Sequence, residues 1–134
     1  MDAEKNQIWF LSKEDILFIH DRELEAAGGL AGIRDDEGVN AAVDAPKASF
    51  GGDYLYDLFE MSVAYIVELT MRHPFVDGNK RTGAASALTF LYLNGYEITE
   101  NYDEELADKV LEFVTHKIDR EQLVTYLKKQ ATEI

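Results

Sequence analysis

The chain has 134 residues, 46% of them apolar, and a formal net charge of −13. This is the length of one domain, 1–134, with enough apolar content for a core. The acidic balance excludes nonspecific nucleic-acid binding, which needs a basic surface; the lack of cysteine excludes disulfides, thiolate metal sites and redox centres, and agrees with a cytoplasmic protein.

Residues 1–7 are polar and expected to be loose. Met1 to Lys5 is acidic and leads into no apolar core segment, so it does not read as a signal peptide. No apolar run reaches spanning length, because Glu68, Arg72 and the polar stretch after them interrupt the longest; no membrane contact is expected. Ile8-Trp9-Phe10-Leu11 reads as a short extended strand. Ser12-Lys13-Glu14-Asp15 has the form of a capping box. It opens a helix with Ile16, Leu17, Ile19 and Leu24 on its apolar face, stopped by Gly28-Gly29. His20 lies near that face and reads as a packed or surface histidine, not a catalytic one.

Gly29 to Arg34 is a glycine-punctuated loop. Asp35-Asp36-Glu37 place acids at the start of a short helix that runs to about Ala45 and stops before Pro46. Residues 46–57 form the longest irregular stretch. Gly51-Gly52 makes it flexible, and Phe50, Tyr54 and Tyr56 suit it to covering a site or receiving a partner. Leu58 to Met71 and Ala84 to Leu93 lack Pro and are apolar nearly all round, so both read as buried helices. Asn94-Gly95 supplies a C-cap, and Tyr96 to Thr99 is a short extended piece. Asp103 caps a helix to about Lys117, with Leu106, Val110, Phe113 and Val114 inward and His116 in the last turn. Asp119 caps a final helix carrying Leu123, Val124 and Leu127. These elements predict an all-α fold: a compact bundle of about six helices around two buried central ones.

The chemistry is concentrated between the two central helices, in His73-Pro74-Phe75-Val76-Asp77-Gly78-Asn79-Lys80-Arg81-Thr82-Gly83. Pro74 disfavours helical geometry at His73, so the first helix ends there and leaves an imidazole at its terminus. Phe75 reads as a hydrophobic plug. Gly78 permits left-handed backbone. The second helix begins near Asn79, and its first N–H groups lack intrahelical partners, which makes an anion site. Lys80 and Arg81 add a point charge and a fork for phosphate oxygens. Asp77 is the loop's single acid; beside a polyphosphate, one carboxylate suits Mg²⁺. His73 is then free to take a proton from an attacking hydroxyl. The loop reads as a phosphoryl- or nucleotidyl-transfer site.

From His73 to Arg81 the sequence matches H-x-F-x-[DN]-[AG]-N-K-R, the signature of the death-on-curing (Doc) branch of the Fic/Doc (Fido) superfamily, and the chain resembles that family. Phe10-Leu11-Ser12, Gly28-Gly29-Leu30, Gly32-Ile33-Arg34-Asp35 and Leu91 to Tyr96 resemble further segments of it, so the likeness covers roughly residues 8–128. The AMP-transferring Fic branch reads H-P-F-x-[DE]-G-N-G-R-x-x-R instead, and this sequence departs from it at Lys80 and Ala84. The resemblance implies a Fido fold and a toxin of a type II toxin-antitoxin system. Its activity would be transfer of the γ-phosphate of ATP to a Ser/Thr hydroxyl of elongation factor Tu, blocking translation. His73 would be the base, Asp77 the Mg²⁺ ligand, and Gly78, Asn79, Lys80 and Arg81 the phosphate cradle. Residues 46–57 would be the flap that aligns the target segment. Two alternatives stay open: AMP transfer by the same base, and a binding module for the antitoxin with little turnover. Phosphate-transferring relatives can carry a polar residue where this chain has Ala85; Ser86 is turned about 100° away from it. The inhibitory pattern [ST]-x-x-x-E-[GN] of many Fic proteins is absent, with Ile33 in the hydroxyl position before Glu37-Gly38. An external antitoxin, folding on this domain through a disordered segment, is the expected control.

Overall fold

The computed structural model describes residues 7–98 and 102–134. Residues 1–6 of the expected loose terminus and the side chain of Asp103, the expected cap, lie outside the described set, as does Thr99. Six α-helices run through the described residues: α1 (Lys13–Ala27), α2 (Asp36–Asp44), α3 (Leu58–Met71), α4 (Asn79–Leu93), α5 (Tyr102–Val114) and α6 (Arg120–Gln130). Four short strands accompany them: β1 (Ser49–Phe50), β2 (Asp53–Tyr54), β3 (Tyr96–Ile98) and β4 (Ala131–Glu133). The all-α reading therefore holds.

Local chemistry starts three of the six helices. Ser12 with Asp15, Asp57 with Glu60 and Asp119 with Gln122 form complete capping boxes on α1, α3 and α6. Helix α2 ends at Asp44, before Pro46 as expected. After Asp44 the chain tightens into a 3₁₀ turn, Ala45–Lys47, with Pro46 in its first turn, where a missing N–H costs nothing. Ile8 to Leu11 forms no strand. Its backbone is held by side chains: the Trp9 N–H donates to Asn94 Oδ1, Asn94 Nδ2 donates to the Trp9 carbonyl, and the Leu11 N–H donates to Tyr65 Oη.

The core is built on α3. Met61, Val63, Tyr65, Ile66 and Leu69 are fully buried, against Phe90 and Leu91 of α4, Leu106 of α5 and Leu123 of α6. Helix α4 crosses very close to α3. A Cβ on Gly83 would stand 3.4 Å from the Ile66 Cα, in contact with the backbone of α3, so there is room for a methyl group and little beyond it. Burial on α4 covers Asn79, Thr82, Gly83, Ser86, Ala87, Phe90 and Leu91. Of its other apolar residues, Ala84, Ala85 and Leu88 are only partly covered and face a groove, while Tyr92 and Leu93 are exposed at its end. Two strand pairs complete the fold. β1 and β2 make a minimal antiparallel hairpin around Gly51-Gly52 inside the expected irregular stretch. β3 pairs antiparallel with β4, Tyr96 opposite Glu133, tying the C-terminal segment to the end of α4. Helix α5 ends at Val114, earlier than expected. His116 lies beyond it with φ of 65°, and the Lys117 N–H closes the end on the Glu112 carbonyl.

Candidate active site

The link from α3 to α4 is held on three sides. Helix α3 closes with the Arg72 N–H on the Glu68 carbonyl, and His73 then takes φ of 54°, in the left-handed region. For a residue with a Cβ that conformation costs on the order of 1–2 kcal/mol. The guanidinium of Arg34 offsets it: Nη2 and Nε donate to the His73 carbonyl at 2.6 and 3.1 Å. The 29–35 loop also forms a short antiparallel ladder with the motif, Ile33 opposite Phe75. The Arg34 N–H donates to the Pro74 carbonyl and the Val76 N–H to the Gly32 carbonyl.

On the other edge of Phe75 the partner is Asn79. Its Oδ1 accepts from the Phe75 N–H and its Nδ2 donates to the Phe75 carbonyl, both at 2.9 Å. Asn79 thus stands where a second neighbouring strand would. The N–H donor fixes which end of the amide is oxygen, so the other end, Nδ2, faces His73 Nδ1 at a long 3.4 Å. From below, the ring of Phe75 stacks on His20, centroids 3.7 Å apart and planes 8° from parallel, and His20 Nε2 lies 2.7 Å from the Asp77 carbonyl.

Each predicted site residue can be placed. His73 is exposed at the mouth of the loop, and its Nε2 has no partner among the described residues. Asp77 is partly buried; Oδ2 accepts from the Leu30 N–H at 2.8 Å, leaving the other oxygen without a described partner. Gly78 caps α4 in left-handed backbone, φ 84°, and contributes no side chain to cap the first N–H groups. Those groups are unneutralised, since the first turn of α4 holds no acid. Asn79 is buried and structural. Lys80 is exposed and free of ion pairs among the described residues, and Arg81 Nη2 donates to the Gly28 carbonyl at 3.1 Å. A groove of about 760 Å³ runs on from Lys80 and Arg81, lined by Ala84, Ala85, Leu88 and, across it, Leu106 and Val110 of α5. Ser86 turns away from it into the core, where its hydroxyl has no partner, as the helical geometry required of Ala85's neighbour.

Two residues of the arrangement were not singled out for this role in the sequence: Arg34 and His20. The signal for Arg34 was its place in Gly32-Ile33-Arg34-Asp35; the signal for His20 was a polar ring near an apolar helix face, read as a packed or surface histidine.

Residues 10–91 match the Fic/DOC family. The chain belongs to the Fic/Doc family. It is 33% identical over 119 residues to the protein kinase Doc of Escherichia phage P1, covering 89% of this chain and 93% of that protein. It is also 33% identical over 120 residues to the toxin Doc of Mycolicibacterium smegmatis, covering 88% of this chain and 90% of that one. The Fic/Doc match contains the whole His73–Arg81 loop, the Arg34 clamp and His20. It stops before β3, so the β3–β4 pair, α5 and α6 lie beyond it.

Proposed function

We propose that this chain is a Doc-type toxin that transfers the γ-phosphate of ATP to a Ser/Thr hydroxyl of a protein, with elongation factor Tu as the target the resemblance implies. The single observation that carries the reading is Lys80 beside the unpaired amides of α4, where the AMP-transferring branch has glycine. The similarity to a protein named a kinase agrees with it.

In this reading the α4 amides, Lys80 and Arg81 hold the phosphates, and the groove beyond them, of a size usual for ligand sites, holds the rest of the nucleotide. Arg34 keeps His73 turned outward toward the incoming hydroxyl. The hydroxyl proton passes to a ring nitrogen of His73, the oxygen bonds to the γ-phosphorus, the bond from the γ-phosphorus to its bridging oxygen breaks, and ADP leaves. Nε2 is the sterically free nitrogen. Using it requires the ring's own proton on Nδ1, turned off the Asn79 amide, a contact loose enough at 3.4 Å to give way. Mg²⁺ fits the residues present. Asp77 has one carboxylate oxygen without a described partner, and Mg²⁺ commonly takes one or two carboxylates with phosphate oxygens and water. Among the described residues no cluster of three His, Cys, Asp or Glu could hold a metal without such help. Bound there, the ion would neutralise charge on the phosphates.

The exposed hairpin of β1 and β2, with Phe50 81% exposed, supports a flap that receives the target segment. The partner that holds the toxin off is, in this reading, an antitoxin whose disordered segment folds on the domain. Intact-mass spectrometry of elongation factor Tu after incubation with ATP and Mg²⁺ tests the reading. We expect a gain of one phosphate, and loss of about 10²- to 10⁴-fold in rate for His73→Ala. A gain of AMP instead would select the Fic-type alternative, and no modification of the target would leave a binding module.

A further inference from the structure

His20 lies 57 residues before Asp77 and is 4% exposed. An aromatic hydrocarbon at this position could stack on Phe75 equally well. The imidazole must therefore be explained by its nitrogen, since a buried polar ring is costly unless it is hydrogen-bonded. The bond is known: Nε2 to the Asp77 carbonyl, 2.7 Å. A carbonyl can only accept, so Nε2 carries the proton and donates.

The consequence lies on the other side of the same peptide. A trans peptide is planar, with its C=O and N–H pointing in opposite directions. Holding the Asp77 carbonyl inward on His20 therefore turns the Gly78 N–H outward, away from the buried ring. No acceptor among the described residues meets that N–H. It adds a fourth donor to the three unpaired amides of the first turn of α4. The left-handed φ of Gly78 lets the chain enter α4 from this peptide orientation.

We propose that His20 is a positioning residue of the phosphate loop: its Nε2–H fixes the Asp77–Gly78 peptide so that the Gly78 amide donates to a bound phosphate. The inference rests on the reading above that the start of α4 receives phosphate. Its test separates the two. The Gly78 amide resonance is followed by NMR as inorganic tripolyphosphate is added to the wild type, His20→Phe and His20→Gln. Phe keeps the stack without the donor; Gln restores a donor at the reach of Nε2. Kinetics with ATP run in parallel.

The wild-type Gly78 resonance is expected to shift on titration, the shift to be lost in His20→Phe, and to return in His20→Gln. kcat/KM for ATP should fall about 10- to 100-fold in Phe, the worth of one hydrogen bond to a charged group. It should recover to within about threefold in Gln. Three results would overturn the proposal: a wild-type Gly78 amide indifferent to tripolyphosphate, a Phe variant that keeps the shift, or a Gln variant as impaired as Phe at equal melting temperature. Should His20→Phe fail to fold, the wild-type titration and the Gln variant decide. If no protein is phosphorylated yet the Gly78 shift depends on residue 20, the kinase reading falls and this assignment stands.

Discussion

Two asparagines among the described residues each make the same pair of hydrogen bonds to one backbone residue, in very different surroundings. Asn79 brackets Phe75, whose side chain is fully buried. Asn94 brackets Trp9, which is 59% exposed. Replacing Asn79 by Ala leaves the Phe75 N–H and C=O without partners in a dry site. Each such group costs about 1–3 kcal/mol, so the loss for the two is about 2–6 kcal/mol. Against a total stability of about 5–15 kcal/mol, that is a large fraction. Replacing Asn94 by Ala frees the Trp9 groups to bond water, and the expected loss is below about 1.5 kcal/mol, part of it from the Asn94 Nδ2 bond to the Phe90 carbonyl. At about 3–5 °C per kcal/mol for a domain of this size, Asn79→Ala should melt at least about 6 °C below wild type and Asn94→Ala within about 7 °C, with the larger drop for Asn79→Ala. Calorimetry on the two variants gives the comparison directly. Equal shifts, or a larger one for Asn94→Ala, would refute the claim that burial of the loop backbone is what makes Asn79 structural.

Lys80→Gly restores the glycine of the AMP-transferring branch, so labelled AMP on target protein should appear at the expense of phosphate; a variant that still phosphorylates at the wild-type rate removes Lys80 from control of nucleotide orientation. Asp77→Ala should lower Mg·ATP affinity while leaving metal-free ATP binding little changed, and calorimetry with and without Mg²⁺ distinguishes a metal ligand from a loop brace. Burial pushes the Tyr65 phenol up to about 12, partly opposed by the Leu11 N–H it accepts. Its raised value favours the neutral folded form, so this stabilisation is complete below about pH 10 and is lost as pH rises from about 10 to about 12. Tyr65→Phe should flatten that alkaline decline in denaturant titrations; an unchanged slope would assign it elsewhere, for instance to Tyr126, also pushed up to about 12 by burial and by Glu105.

The loop from His73 to Arg81 was legible because its determinants are local. Pro74 acts on the residue before it, Gly78 on its own φ, and the unpaired amides belong to whichever residues start a helix. The capping boxes of α1, α3 and α6 were equally local, three residues apart. What sequence reading could not supply was the set of partners that hold the loop, because no spacing rule links residues brought together only by the fold. Arg34 reaches the His73 carbonyl across 39 residues, and His20 reaches the Asp77 carbonyl across 57. The same limit hid β4: Ala131-Thr132-Glu133 has no strand pattern of its own and is extended because β3 offers it a free edge. It also hid the groove beside α4. An apolar face alone reads as core, and only the placement of α5 decides that Ala84, Ala85 and Leu88 line an opening rather than fill one.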